Sequence, residues 1–113
     1  MAMKPEVKKL WVDALRSGAY DQATGELRTK EGFCCLGVLC DISGQAQWTG
    51  RMYAGGAQYL PLEVQEWAGL QESDPFVNIV DDDNEPTSTL LSELNDNLGW
   101  DFNRIANVIE EQL

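Results

Sequence analysis

The chain has 113 residues, 43% of them apolar, and its 19 acidic and 8 basic residues give a formal net charge of -11. This length and apolar content predict a single domain, residues 1–113, with its own core, and exclude a largely disordered chain. No apolar run approaches the roughly 20 residues that cross a bilayer, and the amino terminus does not resemble a secretory signal. With three cysteines, two of them adjacent, these features predict a cytoplasmic protein that contacts no membrane.

Charge is distributed unevenly along the chain. Residues 1–51 contain six acidic and seven basic residues, whereas residues 52–113 contain thirteen acidic residues and one base, Arg104, for a net charge of -12. Such a surface repels polyanions, which argues against direct nucleic-acid binding. It suits a basic protein partner or imitation of nucleic acid, although acidic surfaces also serve simply to keep small proteins soluble.

The first predicted elements are a helix and a hairpin. Pro5 suits the first turn of a helix, apolar residues follow it at helical spacing, and Gly18 is a suitable carboxyl-terminal cap. Residues 20–28 are predicted to form a small hairpin that turns at residues 23–25 and points Leu27 inward.

The run GFCCLGVLCDI, residues 32–42, is the longest stretch with almost no polar side chain. A helix that is apolar on nearly every side belongs in the middle of a domain, so we predict a buried central helix that ends near Gly44. Leu36, Leu39 and Cys40 should be buried there. The following segment, residues 45–59, has no clear period and is predicted to be a loop with one short strand around residues 51–53.

The second half is predicted to contain three more helices and a strand. A helix should begin at Pro61 and end at Gly69, and a short strand should cover residues 76–80, followed by an exposed loop at residues 81–86. Ser88 is predicted to cap a helix that carries apolar residues as far as Leu98, and Asp101 to cap the last helix. The expected fold is an α+β domain of about five helices around the buried central one, with a small antiparallel sheet or hairpin.

Three stretches of this chain, LRTKEGFCCLGVLCD, YLPLEVQEWAGL and LLSELNDNLGWDFNRIANVIEE, resemble a group of small proteins encoded by bacteriophages and prophages. The likeness covers most of the chain, and FCCLGVLCD is its specific block. The resemblance implies a phage or mobile-element origin and an existence in the cytosol of an infected bacterium. It implies no catalytic residues. An accessory or host-directed binding role is the commonest one for a phage gene of this size.

Enzymatic chemistry has little support in the sequence. The absence of histidine removes every Ser-His and Cys-His nucleophile pair, and three cysteines alone fall short of the four ligands that zinc normally takes. Cys34, near Lys30 at the predicted helix start, is the remaining candidate nucleophile. A calcium loop counted from Asp81 fails because Pro86 and Ser92 stand where glycine and glutamate are required. We therefore predict a non-catalytic protein without a metal or cofactor.

A cationic cluster before the central helix is the predicted ligand site. Two cations precede a glycine there, and the glycine would let the next backbone amides face outward at a helix N-terminus, which binds anions. The predicted ligand is a small phosphorylated molecule such as a nucleotide, held by an arginine fork and by aromatic stacking. The alternative is that Glu26 and Glu31 neutralise the cations in a surface hairpin. The predicted ligand-binding residues are Arg28, Lys30, Gly32, Phe33, Arg51 and Tyr53.

Two functions follow from these features. In the first, the protein sequesters the phosphorylated ligand and so counters a host defence. In the second, it is an acidic inhibitor or nucleic-acid mimic that blocks a basic surface of a host protein. The acidic interaction surface would then centre on Asp81, Asp82, Asp83 and Glu85. A homo-oligomer is compatible with either function.

Overall fold

A computed structural model describes residues 3–81 and 83–113. These residues form five helices and two separate two-stranded antiparallel sheets, which confirms the predicted α+β domain. The helices are α1 (Pro5–Arg16), α2 (Cys35–Ser43), α3 (Leu62–Ala68), α4 (Leu91–Asp96) and α5 (Phe102–Gln112). The strands are β1 (Trp48–Thr49), β2 (Met52–Tyr53), β3 (Phe76–Val80) and β4 (Pro86–Leu90). None of these helices is long and apolar enough to cross a membrane.

The helix α2 lies at the centre of the core, as predicted. Its apolar side chains from Cys35 to Cys40 are fully buried, and α1, α3 and α4 pack around it. The buried indole of Trp11 in α1 donates a hydrogen bond to the Cys35 carbonyl at 2.9 Å, which satisfies its one polar group. A Cβ at Gly37 would lie 1.8 Å from the carbonyl oxygen of Leu27, so α2 needs a glycine where it touches the preceding segment.

The two terminal helices pack against each other and have the ends that the sequence predicts. Pro5 is in the first turn of α1, and the side chain of Asp101 accepts the Arg104 N–H at 2.8 Å at the start of α5. Arg16 of α1 contacts Glu110 of α5 at 3.1 Å. Because this ion pair is exposed, apolar burial rather than charge holds the helices together.

The predicted hairpin at residues 20–28 does not form. Gln22 and Arg28 instead both make isolated bridges with Phe33, two residues before the first residue of α2. The chain turns later than predicted, at residues 29–32, where the Thr29 N–H donates to the Gly32 carbonyl at 2.7 Å and the Gly32 N–H donates to the Thr29 carbonyl at 3.3 Å. Leu27 is fully buried, as predicted.

The helix predicted to be capped by Ser88 begins two residues later than expected, with Leu90 at the N-cap position. Ser88 lies in β4, opposite Asn78 of β3, and its neighbours Thr87 and Thr89 are β-branched residues that favour an extended chain. The helix α4 starts at Leu91 and ends at Asp96. Leu98, predicted to lie on its apolar face, therefore falls beyond the helix and is exposed.

A buried carboxylate supports the start of α4. Asp74, only 7% exposed, accepts the Ser92 N–H at 3.1 Å and also accepts a hydrogen bond from the Ser92 hydroxyl. Burial is the main reason that the pKa of Asp74 is raised above its usual value. Asp74 thus takes the capping role that the sequence assigned to Ser88.

The remaining predicted elements are present with small differences. The helix expected between Pro61 and Gly69 is α3, and Gly69 follows it with φ +77. Leu62, the first residue of that helix, is 63% exposed. The strand at residues 76–80 is β3, and the short strand around residues 51–53 is β2, which pairs with β1.

Candidate functional site

The cationic cluster is built around the side chain of Arg28. Its guanidinium carbon lies 5.2 Å from the ring centre of Trp48 and 6.0 Å from that of Phe33. Phe33 in turn contacts Trp48 and Tyr20 edge-to-face, with ring centres 5.7 and 5.1 Å apart. A guanidinium at these distances is attracted by the ring quadrupoles, so the aromatic side chains hold Arg28 at the surface.

Asp41, which the sequence did not single out, fixes two of these rings. Its carboxylate accepts the Tyr20 hydroxyl at 2.5 Å and the Trp48 indole N–H at 3.0 Å. Burial and, after it, the hydrogen bond and charge of Asp41 raise the pKa of Tyr20 to about 12. The sequence placed Asp41 at the end of the central helix, but nothing in its spacing indicated contacts with aromatic residues so distant along the chain.

The first two backbone amides after Gly32, which the sequence predicted to bind an anion, already have partners. The Phe33 N–H donates to the Asp21 carbonyl at 2.8 Å, and the Cys34 N–H donates to the Leu27 carbonyl at 3.2 Å. Gly32 does have a positive φ, +152, but a Cβ there would lie 2.1 Å from the Asp21 oxygen. The glycine is therefore required because two backbone segments pack closely there. The prediction that the following amides face outward is wrong for Phe33 and Cys34.

Arg51 and Tyr53 do not take the predicted positions. Arg51 pairs with Glu26 at 2.8 Å, so neutralisation by a nearby acid, the alternative considered from sequence, applies to this cation. Tyr53 is 1% exposed, and its hydroxyl contacts the Ser43 hydroxyl at 3.2 Å and accepts the Ala46 N–H at 2.8 Å. Its ring is consequently a core residue and not a stacking surface for a base.

Arg28 and Lys30 are what remains of the predicted anion site. Within residues 3–81 and 83–113, the ion pairs formed involve neither of these two cations. Lys30 is exposed and Arg28 is half-buried against the rings. The structure thus supplies a guanidinium beside two aromatic rings and an exposed lysine two residues further along the chain, with fewer backbone donors than the sequence suggested.

The acidic turn between β3 and β4 is exposed, as predicted. Asp81, Asp83 and Glu85 are all on the surface, whereas Asp82 lies outside the described residues. The Asp81 carboxylate accepts the N–H groups of Asp83 at 3.0 Å and Glu85 at 2.9 Å, which orders the turn. Over the part of the chain that the structure describes, no group of three or more Asp, Glu, Cys or His side chains could hold a metal ion.

A cavity that the sequence did not predict lies beside this turn. It has a volume of about 290 Å³ and adjoins the hairpin, the connection between α4 and α5, and the first turns of α5. The guanidinium carbon of Arg104 lies 3.7 Å from the ring centre of Trp100 there. The sequence signal was that Arg104 is the only base in residues 52–113. The cavity is lined by Ile79, Val80, Asp81, Thr87, Ser88, Thr89, Leu98, Trp100 and Arg104.

The cysteines are buried free thiols. Burial raises the pKa of Cys34 to about 11 and that of Cys40 to about 12, and it raises the pKa of Cys35 well above its usual value. A thiol reacts as its thiolate, so burial works against the one nucleophile that the sequence offered, Cys34. Its sulfur instead accepts the Gly37 N–H at 3.4 Å and caps α2.

Nearly the whole chain corresponds to one family. Residues 3–113 match the family described as a domain of unknown function, DUF8296. The chain belongs to this family. No curated protein and no solved structure matches it. The match spans both the aromatic cluster around Arg28 and the acidic turn, so both are features within the DUF8296 domain.

Proposed function

We propose that the protein is a non-catalytic binding protein whose acidic carboxyl-terminal half engages a basic surface of another protein. The observation that carries this proposal is where the charges lie. Among the described acidic residues of 52–113, Asp74 alone is buried, and the others are at least partly exposed. Arg104, the single base of that half, is stacked on Trp100. Apart from Glu110, which pairs with Arg16 of α1, the described acidic residues of this half form no ion pair.

Comparison with the phosphorylated-ligand hypothesis favours this function. An anion site at the start of α2 would draw much of its affinity from backbone amides, and those of Phe33 and Cys34 already have partners. Arg51 is paired with Glu26, and Tyr53 is buried. The acidic side chains need no rearrangement before they can bind a partner, because they are already exposed.

The resemblance to phage proteins supports a host-directed role in the bacterial cytosol. Carboxylates fixed on a folded surface present negative charge much as phosphates do, so they suit a surface that normally binds nucleic acid. We propose that the protein inhibits such a host protein by occupying that surface, as a counter-defence or related accessory function. Binding of this kind needs no catalytic residue and no cofactor.

The test is capture of a basic protein from host lysate on the purified protein, followed by binding measurements with the captured protein. Binding should weaken steeply as salt rises from about 0.01 M, where charges act over about 30 Å, to about 1 M, where they act over about 3 Å. The variant Asp83→Asn/Glu85→Gln removes two exposed acids of the turn and should bind several-fold less tightly.

A matched control separates local from overall charge. Glu6→Gln/Asp13→Asn makes the same change in net charge on the exposed surface of α1, far from the turn in sequence, and should bind like the wild type. If both double variants weakened binding equally, the effect would come from the net charge of the protein and not from the position of the acidic turn. Salt-independent binding, or capture of no basic protein, would contradict the proposed function.

The anion site is kept as a second candidate because of one observation: Arg28 lies beside two aromatic rings and forms no ion pair among the residues that the structure describes. If it binds a nucleotide, calorimetry against mono-, di- and cyclic nucleotides should detect a ligand that Arg28→Ala no longer binds. Lys30→Ala should weaken binding less, because an ammonium lacks the two-pronged geometry of a guanidinium. Absence of binding across the panel would remove this candidate.

A further inference from the structure

We propose that β4 is the docking strand of this protein, and that the basic partner adds an extended segment to its outer edge. This inference rests on the proposed function and specifies how the partner binds. The hydrogen-bonding pattern of the β3–β4 hairpin determines which backbone groups of β4 have no partner within the hairpin.

Three contacts establish which residues bond across the hairpin and which face away from it. The Asp81 N–H donates to the Glu85 carbonyl at 3.0 Å, and the Leu91 N–H donates to the Pro75 carbonyl at 3.0 Å. Every second residue of each strand, counted from these residues, therefore directs its backbone N–H and C=O groups at the other strand of the hairpin. The Asn78 N–H and C=O, on the other alternation, face outward and bond to the side chain of Gln112 at 2.8 and 2.7 Å. Ser88, the partner of Asn78, must face away from β3 in the same way.

The two edges of the hairpin consequently differ. The amide group of Gln112 covers the outer edge of β3 as a short strand would. On the outer edge of β4, the Ser88 N–H and C=O have no hydrogen-bond partner among the described residues, and Ser88 is exposed. Pro86 adds a second outward carbonyl without an N–H. An open edge of this kind is a template for another strand, and main-chain bonds to it are a recurrent way to bind peptides.

The surroundings of this edge indicate the chemistry of the occupant. Thr87, Ser88 and Thr89 line the cavity of about 290 Å³, whose wall also includes Leu98, Trp100 and the single base of this half, Arg104. An added strand would thus have room for an apolar side chain beside its backbone bonds. The acidic turn follows β3 and leads directly into β4, so a lysine or arginine of the same strand can reach its carboxylates.

Charge also discriminates between occupants. A second copy of this chain would bring another net charge of -11 to an edge that begins at the acidic turn, so self-pairing is opposed by repulsion. A basic extended segment meets charge of the opposite sign at the same place. The occupant is therefore a basic, β-prone segment of another protein, with at least one apolar side chain directed to the cavity.

The test uses a displayed library of short random peptides, selected on the purified protein, and synthetic versions of the peptides that are enriched. Selected peptides should combine lysine or arginine with β-branched or aromatic residues. Ser88→Pro removes the outward N–H, and proline is tolerated on the free edge of a sheet, so this variant should fold and bind about tenfold more weakly. Ser88→Ala keeps the N–H and is the matched control, with affinity unchanged.

Hydrogen exchange of the wild-type protein gives a readout that does not depend on a variant. Saturating peptide should slow exchange of the Ser88 amide by about tenfold or more, and it should change the Thr89 amide less, because that group already bonds across the hairpin. Peptides that bind the Ser88→Pro variant as tightly as wild type, or that leave the Ser88 amide unprotected, would overturn the docking strand.

The remaining outcomes separate this inference from the function on which it rests. If the basic protein captured from lysate binds in a salt-dependent way and Ser88→Pro binds it normally, the docking strand is wrong and the acidic binding function stands. Enrichment of no basic peptide also overturns the docking strand, while the salt-dependent capture still decides the function. A dimer in sedimentation that Ser88→Pro abolishes would show that a second copy is the occupant and overturn the basic segment.

Discussion

The close contact between α2 and Leu27 predicts the effect of the substitution Gly37→Ala, in which a gain in helix propensity opposes a steric cost. In an ordinary helix, Gly→Ala stabilises by about 1 kcal/mol. At Gly37 the new Cβ would lie 1.8 Å from the Leu27 carbonyl oxygen, about half of a normal contact distance. The obstacle is backbone and not the end of a flexible side chain, so α2 and the loop must move apart.

The magnitude follows from what such a movement disturbs. Overpacking typically costs about 1–3 kcal/mol, and the Leu27 carbonyl also accepts the Cys34 N–H at 3.2 Å. Leaving that buried amide without a partner costs about 1–3 kcal/mol more. After subtracting the gain in helix propensity, these ranges leave about 1–5 kcal/mol, so Gly37→Ala should destabilise the protein by about 3 kcal/mol at mid-range, a large fraction of the roughly 5–15 kcal/mol of a typical domain.

Urea unfolding followed by the fluorescence of the four tryptophans measures this loss. Gly18→Ala is the control: its φ is also positive, at +77, but nothing lies within 4 Å of the added Cβ. It should cost only the strain of a left-handed alanine, about 1–2 kcal/mol. A Gly37→Ala protein as stable as wild type, or more stable than the Gly18 variant, would refute the close contact between α2 and the loop.

Three further predictions concern the core and its ionisable groups. Leu36→Ala should lower the free energy of unfolding by about 2–5 kcal/mol in the same assay, and a loss below about 1 kcal/mol would contradict full burial. Because burial raises the pKa of Cys34 to about 11, a thiol reagent at about pH 8 should label the unfolded protein much faster than the native one, and equal rates would be inconsistent with burial. Tyr20 is protonated up to about pH 12 in the folded state and up to about pH 10 when unfolded, so its contribution to stability should decline as pH rises across that interval. Asp41→Asn should lower the Tyr20 pKa in an ultraviolet titration, whereas no change would exclude its role.

Local patterns predicted those parts of the fold that local forces decide. Pro5 and Asp101 mark helix starts because their own geometry or side chain satisfies the first turn. The apolar run around Leu36 predicts a central helix because no other position in a domain would bury all its faces.

The errors arose where distant residues compete with a local signal. Ser88 is a good helix cap in isolation, but pairing with Asn78 keeps it extended and Asp74 supplies the cap from another segment. The hairpin at residues 20–28 does not form because the chain turns at residues 29–32 instead, and Gln22 and Arg28 both pair with Phe33. Neither Asp74 nor Phe33 could be identified as a partner from spacing alone.

In the candidate sites too, local sequence predicted some features and contacts between distant residues decided the others. Residue types predicted the exposed acidic turn, which is present. They could not predict that the amides after Gly32 are occupied, since their acceptors on Asp21 and Leu27 come from a loop of non-local geometry. The cavity beside Arg104 likewise depends on how the hairpin meets α5.

Zero-length cross-linking of the complex with the captured basic protein tests the acidic binding function most directly. A carbodiimide joins a carboxylate to a lysine amine only when the two are in contact, and mass spectrometry then identifies the joined residues. Cross-links should concentrate on residues 81–85 and disappear at high salt. Cross-links that map instead to Glu6 and Asp13 of α1, or that persist unchanged at high salt, would contradict binding through the acidic half.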